Sequence, residues 1–543
     1  MPSPPPCARA SSTMSQLWFL LIIVSTVLLL IGWLCGKGRR ERGLPPGPPT
    51  LPLLGNALDF PKSQPHLRFT EWARTYGEIF SLKVGSTTLV VLNSPRMVRQ
   101  CLDVKGATTS DRPDAHVVNL VTGGMDVIVA HYGPTWRTLR RAAHDMLMKG
   151  RCMNYLPLQH AESSQLVFDL LHRPQDIFNH LRRFSTSVIL SAAFGVRCPE
   201  YNNPYIERFF YWMHEWQVIT RPGGHPPVDM FPILKYVPER WAPWKTACRS
   251  IRHHQRSFIF SLVDACSSRM RNEKRNGCFM EHVLDHRKEY GMSDEMIGYL
   301  GSALALGGSD TTSVYLQLFI QCLLAYPEVQ ARAQAEIDAV IGTNRMPTFE
   351  DIEALPYVRA IISEVHRFRP ISPIGLPHVA TTDETVDDYI IPNGTVIFQN
   401  IWAIYHDETL FDQPDVFNPD RFLHSKFGTK PGVDTNGLRE DFMFGAGRRI
   451  CPGIHLASNS ININVLNLLW GFNLSPAIDP ISGNPVPIDL DDYECETVIN
   501  PRPFTCEITP RSEGHAQLIR SAFENAQSVF AQFEQQVNIP RKN

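Results

Sequence analysis

Residues 17–35 form a run of apolar positions without a charged residue (LWFLLIIVSTVLLLIGWLC). A helix needs about 20 apolar residues to cross a bilayer, so this pattern predicts a transmembrane anchor. A cleaved signal peptide is the alternative, but no cleavage site of small residues follows the run. Basic residues cluster at 37–42 after the run, against only Arg9 before it. This asymmetry predicts a short lumenal segment at 1–16 and a cytosolic body.

Basic and proline-rich positions follow at residues 36–56, which end in LPPGPPTLPLLGN. Prolines fix backbone angles and favour a stiff, extended segment. The pattern predicts a hinge that holds the main body, residues 57–511, at a set angle to the membrane. A simple surface loop is the alternative.

Beyond residue 511 the apolar positions return at spacings of four and three, the period of an amphipathic helix. They are Ile519, Phe523, Ala526, Phe530, Phe533 and Val537. Three interpretations are open for this tail, residues 512–543: the helix packs on the body, lies on the membrane or pairs with a partner. We expect packing on the body.

The helical segment IISEVHRFRP places Glu364 and Arg367 three residues apart, and therefore on one face. A surface ion pair would contribute almost nothing. The apolar neighbours leave little polar surface, however, so we expect burial and a third partner. Arg421 in FNPDRF could bind the same carboxylate through two hydrogen bonds.

The apolar segment LALGGSDTTSVYLQ, residues 304–317, is interrupted by Gly307 and Gly308 and then by Asp310 and Thr311. Glycine costs about 1 kcal/mol in a helix interior, and buried polar groups need partners. A hydroxyl beside an acid can relay protons. A kinked core helix with an unrelated polar network is the alternative.

Composition narrows the class of protein. The chain has 543 residues and a net charge of −2, which gives no reason to expect a nucleic-acid partner. Its 12 cysteines lack paired spacing. We therefore expect reduced thiols on the cytosolic side of a membrane rather than a secreted disulfide scaffold.

One cysteine, Cys451, lies between glycines and directly after two arginines in FGAGRRICPG, residues 444–453. A dinucleotide-binding loop would need a third glycine where Ile450 stands. A zinc site would need further ligands nearby. A buried structural cysteine is common but does not explain the surrounding glycines and arginines. A thiolate that binds a metal axially, stabilised by backbone N–H groups and a helix N-terminus, explains all of them.

The same stretch resembles the haem-binding signature F-x-x-G-x-R-x-C-x-G of the cytochrome P-450 family, through Phe444, Gly447, Arg449, Cys451 and Gly453. Further segments resemble family motifs and occur in family order. These are the proline hinge, W-x-x-x-R at 136–140, [AG]-G-x-[DE]-T-[TS] at 307–312, E-x-x-R at 364–367, the P-E-R-F element at 419–422 and RPF at 502–504. Asp420 replaces the usual glutamate of P-E-R-F, which leaves Arg421 unaffected.

The resemblance implies a mainly α fold with small β-sheets, the cytochrome P-450 fold, behind one N-terminal transmembrane helix. It implies haem b as cofactor, its iron bound by the axial thiolate of Cys451. A buried haem carries two propionates that must be neutralised. The residues implied in cofactor binding are Trp136, Arg140, His378, Arg449, Phe444, Gly447 and Gly453.

The implied catalytic residues are Thr311, which would hydrogen-bond the oxygen being activated, and Asp310, which would connect it to solvent. Glu364, Arg367 and Arg421 would lock the core that supports the cysteine loop. The expected reaction inserts one oxygen atom from dioxygen into a lipophilic small molecule.

The chain carries no flavin or nicotinamide fingerprint, so it must receive electrons from a partner. The resemblance implies a membrane-bound NADPH-cytochrome P-450 reductase and a location in the endoplasmic reticulum membrane. Exposed basic residues are candidates for the docking face: Arg137, Arg141, Arg448 and Lys149.

The resemblance implies a substrate pocket lined by mainly apolar regions: the loop 114–129, the helix face with Ala303 and Leu306, the strand 371–376, and the turn at Thr497 and Val498. RPISPIGLPH resembles fungal microsomal members that act on secondary metabolites such as terpenoids, polyketides or aromatic compounds. A haem-thiolate isomerase or dehydratase that does not use dioxygen is the alternative, and a non-catalytic haem sensor is a second. Neither needs the Asp310 and Thr311 relay.

Overall fold

The computed structural model of the chain describes residues 18–27, 32, 38–221, 223–229, 231–495 and 498–534. Residues 18–27 are helical and exposed. Within these described ranges, no helix is long and apolar enough to cross a membrane. The lumenal segment 1–16, much of 28–37, Thr497 and Val537 lie outside the described residues.

Helices make up most of the body, as predicted. The α-helices are α1 Pro65–Tyr76, α2 Pro95–Val98, α3 His116–Thr122, α4 Pro134–Leu147, α5 Lys149–Cys152, α6 Leu156–His172, α7 Ile177–Phe194, α8 Pro204–Thr220, α9 Pro243–Arg271, α10 Phe279–Asp285, α11 Arg287–Tyr290, α12 Asp294–Ser309, α13 Thr311–Ala325, α14 Pro327–Val340, α15 Pro356–Phe368, α16 Ile401–Tyr405, α17 Arg421–His424, α18 Ile454–Gly471 and α19 Glu513–Phe530. A π-helix, Arg99–Val104, and short 3₁₀ turns, among them Phe442–Phe444 and Gly447–Arg449, connect them.

The prolines explain where many of these helices begin. The sequence contains 43 prolines, and α1, α4, α8, α9, α14 and α15 each begin at one. Proline at the first helical position loses no hydrogen bond, because that N–H has no partner inside the helix. The prolines therefore start helices as well as shaping turns.

The strands are short and form small sheets, as predicted. They are β1 Ile79–Val84, β2 Thr87–Leu92, β3 His378–Val379, β4 Glu384–Val386, β5 Tyr389–Ile391, β6 Val396–Gln399, β7 Phe472–Pro476, β8 Tyr493–Cys495, β9 Ile499–Pro501 and β10 Cys506–Pro510. The largest sheet has the order β1-β2-β6-β3, with β2 and β6 parallel. The pairs β7/β10, β4/β5 and β8/β9 form two-stranded sheets.

The core is centred on α7, α12 and α13, whose residues are buried on almost every face. A helix that is apolar all round is typical of a protein interior. Ser293 caps α12 by accepting a hydrogen bond from the Met296 N–H at 3.2 Å. The helix ends at Ser309, whose carbonyl accepts a hydrogen bond from the Ser185 hydroxyl of α7. This contact lies at the break before Asp310.

The tail helix α19 packs on α6. The rings of Phe523 and Phe168 stack with centroids 4.1 Å apart, and Phe530 is buried. Glu534 forms an ion pair with Arg197, whose guanidinium lies 3.4 Å from the centroid of the Phe530 ring. The apolar face of the tail helix therefore packs against the body.

Candidate active site

The cysteine loop is held in shape by its glycines. Gly445 and Gly447 have φ values of 91° and 60°, which favour glycine. A Cβ on Gly447 would lie 2.1 Å from the Leu102 carbonyl oxygen, so no side chain fits there. The Gly447 N–H donates to Asp103 Oδ1 at 2.7 Å. These contacts fix the loop against the π-helix.

Cys451 is presented at the end of this loop. Its N–H donates to the Phe444 carbonyl at 2.9 Å, and its sulfur accepts from the Gly453 N–H at 3.3 Å. Gly453 directly precedes α18, so the sulfur lies by a helix N-terminus. Burial raises the pKa of the Cys451 thiol, while the Gly453 N–H and the charge of Arg140 act in the opposite direction. A coordinated metal ion deprotonates such a thiol outright.

Glu364, Arg367 and Arg421 come together in the core. Arg367 donates to both carboxylate oxygens of Glu364, at 2.7 and 2.8 Å. Arg421 Nε donates to Glu364 Oε1 at 3.1 Å, so it contacts one oxygen rather than the two we expected. Arg367 also donates to the Tyr405 and Pro414 carbonyls. The three side chains are buried, and they join α15 to the segment before α17.

The two glycines of the broken helix have different surroundings. A Cβ on Gly307 would meet nothing within 4 Å, whereas one on Gly308 would lie 2.5 Å from Ile189 Cγ1 of α7. Only Gly307 therefore borders open space. Gly308 instead allows close packing of this helix against α7.

Asp310 and Thr311 follow at the break. Burial raises the pKa of the Asp310 carboxyl, against the charge of Arg182, so this group can hold a proton. The Thr311 hydroxyl donates to the Gly307 carbonyl at 2.9 Å. An acid and a hydroxyl thus lie beside the open face at Gly307.

Three of the expected haem-contacting residues meet near the cysteine loop. The Arg449 guanidinium lies 4.3 Å from the centroid of the Trp136 ring. The Trp136 ring N–H donates to the Val127 carbonyl at 3.1 Å. Arg140, half-buried on the same helix, donates to the Ile450 carbonyl at 2.6 Å.

His378 accompanies this group on β3, where its Nδ1 is 2.9 Å from the Thr109 carbonyl oxygen. Burial, followed by the charges of Arg112 and Arg449, lowers the pKa of His378 to about 3. The ring is therefore neutral near neutral pH. Because its Nδ1–H donates to that carbonyl, the unprotonated Nε2 can only accept a hydrogen bond from a ligand, and the ring supplies no charge.

Arg112 was not expected from the sequence. It is 6% exposed and donates to the Leu376 and Pro377 carbonyls at 3.0 and 2.6 Å. Burial lowers the pKa of Arg112 to about 10. Burial and the charge of Arg112 lower the pKa of Arg449 to about 9. The sequence signal was weak, because SDRPD has no helical or strand period.

The buried Arg112 and Arg449 and the half-buried Arg140 form a cationic cluster that fits the propionates of a haem. Within the described part of the chain, no salt bridge to a carboxylate is found for any of the three. Confined cations repel one another, and a buried dianion would neutralise them. The donor set therefore suits a haem whose carboxylates lie at this cluster and whose iron meets a cysteine sulfur.

A mainly helical body with such a cysteine loop and cationic cluster defines a haem-thiolate protein. The chain belongs to the cytochrome P-450 family, whose family model, described as Cytochrome P450, matches residues 45–486. It is 46% identical over 517 residues to a cytochrome P450 monooxygenase of Armillaria gallica, with 95% of this chain and 98% of the relative covered. A cytochrome P450 monooxygenase of Aspergillus niger is 38% identical, with 91% and 95% covered.

A solved structure agrees with the fold. A zebra fish cytochrome P450 with progesterone matches 82% of this chain and 99% of that chain, with a TM-score of 0.67 and 26% identity. The family uses haem with its iron bound by an axial cysteine. The chain is thus an oxidoreductase, a monooxygenase whose reaction involves dioxygen, a small-molecule substrate and a redox partner.

Proposed function

We propose that this protein is a membrane-anchored monooxygenase that hydroxylates or similarly oxidises a lipophilic small molecule in fungal secondary metabolism, a terpenoid, polyketide or aromatic compound. The observation that carries the proposal is the Cys451 sulfur, which accepts a hydrogen bond from the Gly453 N–H at 3.3 Å beside a helix N-terminus. The fungal origin of the similar monooxygenases supports it.

Cys451 would be the axial ligand. Arg112, Arg140 and Arg449 would hold the propionates beside the neutral rings of Trp136 and His378, and Phe444, Gly447 and Gly453 would shape the loop. When bound, haem supplies the redox chemistry that activates dioxygen and oxidises C–H bonds. The part of this chain is to position the haem and to neutralise its carboxylates.

Asp310 and Thr311 would move protons to the reacting oxygen. Burial raises the pKa of the Asp310 carboxyl above its ordinary value, which favours its protonated form. Thr311 Oγ1 could accept that proton and donate its own toward the open face at Gly307. Arg182 lies near Asp310 and would favour return of the carboxyl to its charged form.

The substrate would lie against apolar surface. Ala303 is buried and Leu306 half-buried on α12, which packs against α4. The expected lining also includes the loop 114–129, which contains α3, and the stretch 371–376. Apolar lining favours a lipophilic molecule over a charged one.

Electrons would come from an NADPH-cytochrome P-450 reductase. Arg137, Arg141, Arg448 and Lys149 are exposed on α4, α5 and the cysteine loop. Charge reversal at Arg137 and Lys149 should slow reduction more at low than at high ionic strength, since salt screens exposed charges. Equal slowing at both ionic strengths would reject this docking face.

Residues 17–35 would anchor the protein as a single-pass helix in the endoplasmic reticulum membrane, with the body in the cytosol. The charge-free apolar run supports this proposal. Full-length protein should stay in the membrane pellet after alkaline carbonate extraction, and a variant without residues 1–35 should be released in larger part.

Product mass tests the function. The protein is expressed in yeast microsomes with a fungal reductase and offered a panel of terpenoids, polyketides and aromatic compounds. A product heavier by one oxygen, absent without NADPH and absent with Cys451→Ala, is expected. Conversion that continues without NADPH would instead support a haem-thiolate isomerase or dehydratase.

A further inference from the structure

Two buried cysteines face each other far from the cysteine loop in sequence. Cys266 lies near the C-terminal end of α9, and Cys278 directly precedes α10. Their sulfurs are 3.9 Å apart, and their side chains are 0% and 2% exposed. Both are free thiols in this structure. A disulfide needs a sulfur separation near 2.05 Å, so a modest rotation of the two side chains would bring them to bonding distance.

Arg269 lies between these sulfurs. Its Nη2 donates to Cys266 Sγ at 3.3 Å and to Cys278 Sγ at 3.5 Å. A guanidinium beside a thiol stabilises the thiolate, which is the reactive form. Burial opposes ionisation of Cys278, but the hydrogen bond from Cys266, together with the charge of Arg269, brings the pKa of Cys278 below its ordinary value. Arg269 therefore lies within hydrogen-bonding distance of both sulfurs and favours ionisation within the pair.

A cavity of about 460 Å³ reaches Cys278. Its wall is formed by the segment 276–279, by α4 and α6, and by Phe533 of the tail. Polar side chains, among them Asp145 and Arg151, also line it. A cavity of this size admits several water molecules, and so admits a small polar oxidant.

We propose that Cys266 and Cys278 are a peroxide-sensitive dithiol that closes to an intramolecular disulfide, with Cys278 as the attacking sulfur and hydrogen peroxide as the oxidant. This inference does not depend on the proposed substrate or on the reductase. It adds a covalent modification site that lies outside the cysteine loop.

The reaction balances in two steps. The Cys278 thiolate attacks one oxygen of hydrogen peroxide, the O–O bond breaks, and the leaving hydroxide takes up the proton that Cys278 released, forming water. Cys278 is then a sulfenic acid. The Cys266 sulfur attacks the Cys278 sulfur, the S–O bond breaks, and hydroxide leaves with the Cys266 proton as a second water. Two thiols lose two electrons and one peroxide gains them.

Other buried cysteines provide an internal comparison. Burial raises the pKa of Cys101 and of Cys322 to about 12. Both have low thiolate fractions at neutral pH and should react slowly. The proposal therefore predicts oxidation confined to one pair among the buried thiols.

The test is peptide mapping of the full-length holoprotein after graded hydrogen peroxide, with free thiols blocked by N-ethylmaleimide before digestion. The expected result is a linked peptide pair containing Cys266 and Cys278, lighter by two hydrogens and separated by reductant. Cys101 and Cys322 should remain alkylated. Haem absorbance, followed in parallel, identifies samples in which the peroxide has damaged the haem.

Three variants test the roles of Cys266 and Arg269. In Cys266→Ala, Cys278 should accumulate as a sulfenic acid trapped by dimedone. Arg269→Gln should slow linkage about tenfold, the change in thiolate fraction for one pKa unit, and Arg269→Lys should restore most of the rate. Recovery of both cysteines as alkylated thiols, at peroxide levels that oxidise dithiothreitol, would overturn the proposal. Equal oxidation of Cys322 would overturn it as well.

Discussion

Arg367 holds both carboxylate oxygens of Glu364, and neither side chain is more than 1% exposed. Removal of one partner leaves a buried charge unpaired, which costs about 3–5 kcal/mol. Glu364→Gln should therefore lower the free energy of unfolding by this amount, as measured by urea denaturation. Arg359→Gln is the matched control on the same helix, since its ion pair with Glu353 is exposed. It should cost less than about 1 kcal/mol. Similar losses in the two variants would contradict a special role for the buried pair.

Gly307 and Gly308 should respond oppositely to alanine. The Cβ of Gly308→Ala would clash with Ile189, and overpacking of this kind costs about 1–3 kcal/mol. Gly307→Ala should raise helix stability by about 0.5–1 kcal/mol but lower turnover, because its methyl group enters the open face beside Thr311. Thermal unfolding and product formation measure the two effects. A stable and fully active Gly307→Ala protein would contradict an oxygen-binding role for this face.

Arg112 should contribute to haem retention. If propionates neutralise the cationic cluster, Arg112→Gln should weaken haem binding and reduce the gap in Tm between holoprotein and apoprotein. The measurement is haem titration by absorbance, combined with thermal unfolding of both forms. Arg99→Gln on the π-helix is a control outside the cluster and should leave the gap unchanged. A gap equally large in Arg112→Gln would mean that this arginine has only a structural role.

The buried His366 should make stability fall in mild acid. Burial lowers the pKa of His366 to about 3, whereas an unfolded histidine titrates near 6.5. Between about pH 3 and 6.5, His366 is protonated in the unfolded chain but not in the folded protein. Proton binding therefore favours unfolding as the pH drops below about 6.5. Protonation of His366 in the unfolded chain alone should lower the free energy of unfolding by up to about 1.4 kcal/mol for each pH unit below this value. His366→Phe should flatten the decline measured by urea between pH 7 and 5, while the exposed His253→Phe should not. Parallel curves for His366→Phe and the parent would contradict this assignment.

The tail helix should stabilise the body. Phe523→Ala removes the ring that stacks on Phe168 and should cost about 1–3 kcal/mol, less than in a full core because Phe523 is half-buried. Gln527→Ala, on the exposed side of the same helix, is the control. Thermal unfolding compares them, and carbonate extraction checks membrane association. If Phe523→Ala were as stable as the parent protein, packing of the tail helix would not contribute to the stability of the body.

Local patterns allowed prediction of part of this site. Residues three or four apart, such as Glu364 and Arg367, must share a helix face, and the tight loop before Cys451 follows from its glycines. Arg112 was not predicted as a site residue, because the groups that bury it are distant in sequence, at 128 and at 376–377. The different surroundings of Gly307 and Gly308 depend on where α7 lies, which local sequence does not specify.

The contact between α19 and α6 joins segments made at very different times. A ribosome completes α6, α7 and Arg197 long before it adds Phe530 and Glu534, which are more than 300 positions later. Until then the apolar face of α6 that receives Phe523 has no cover, and uncovered apolar surface is what chaperones bind. The nascent protein therefore exposes an apolar helix face during most of its synthesis. That face is buried only when α19, the tail helix, is synthesised and packs on it.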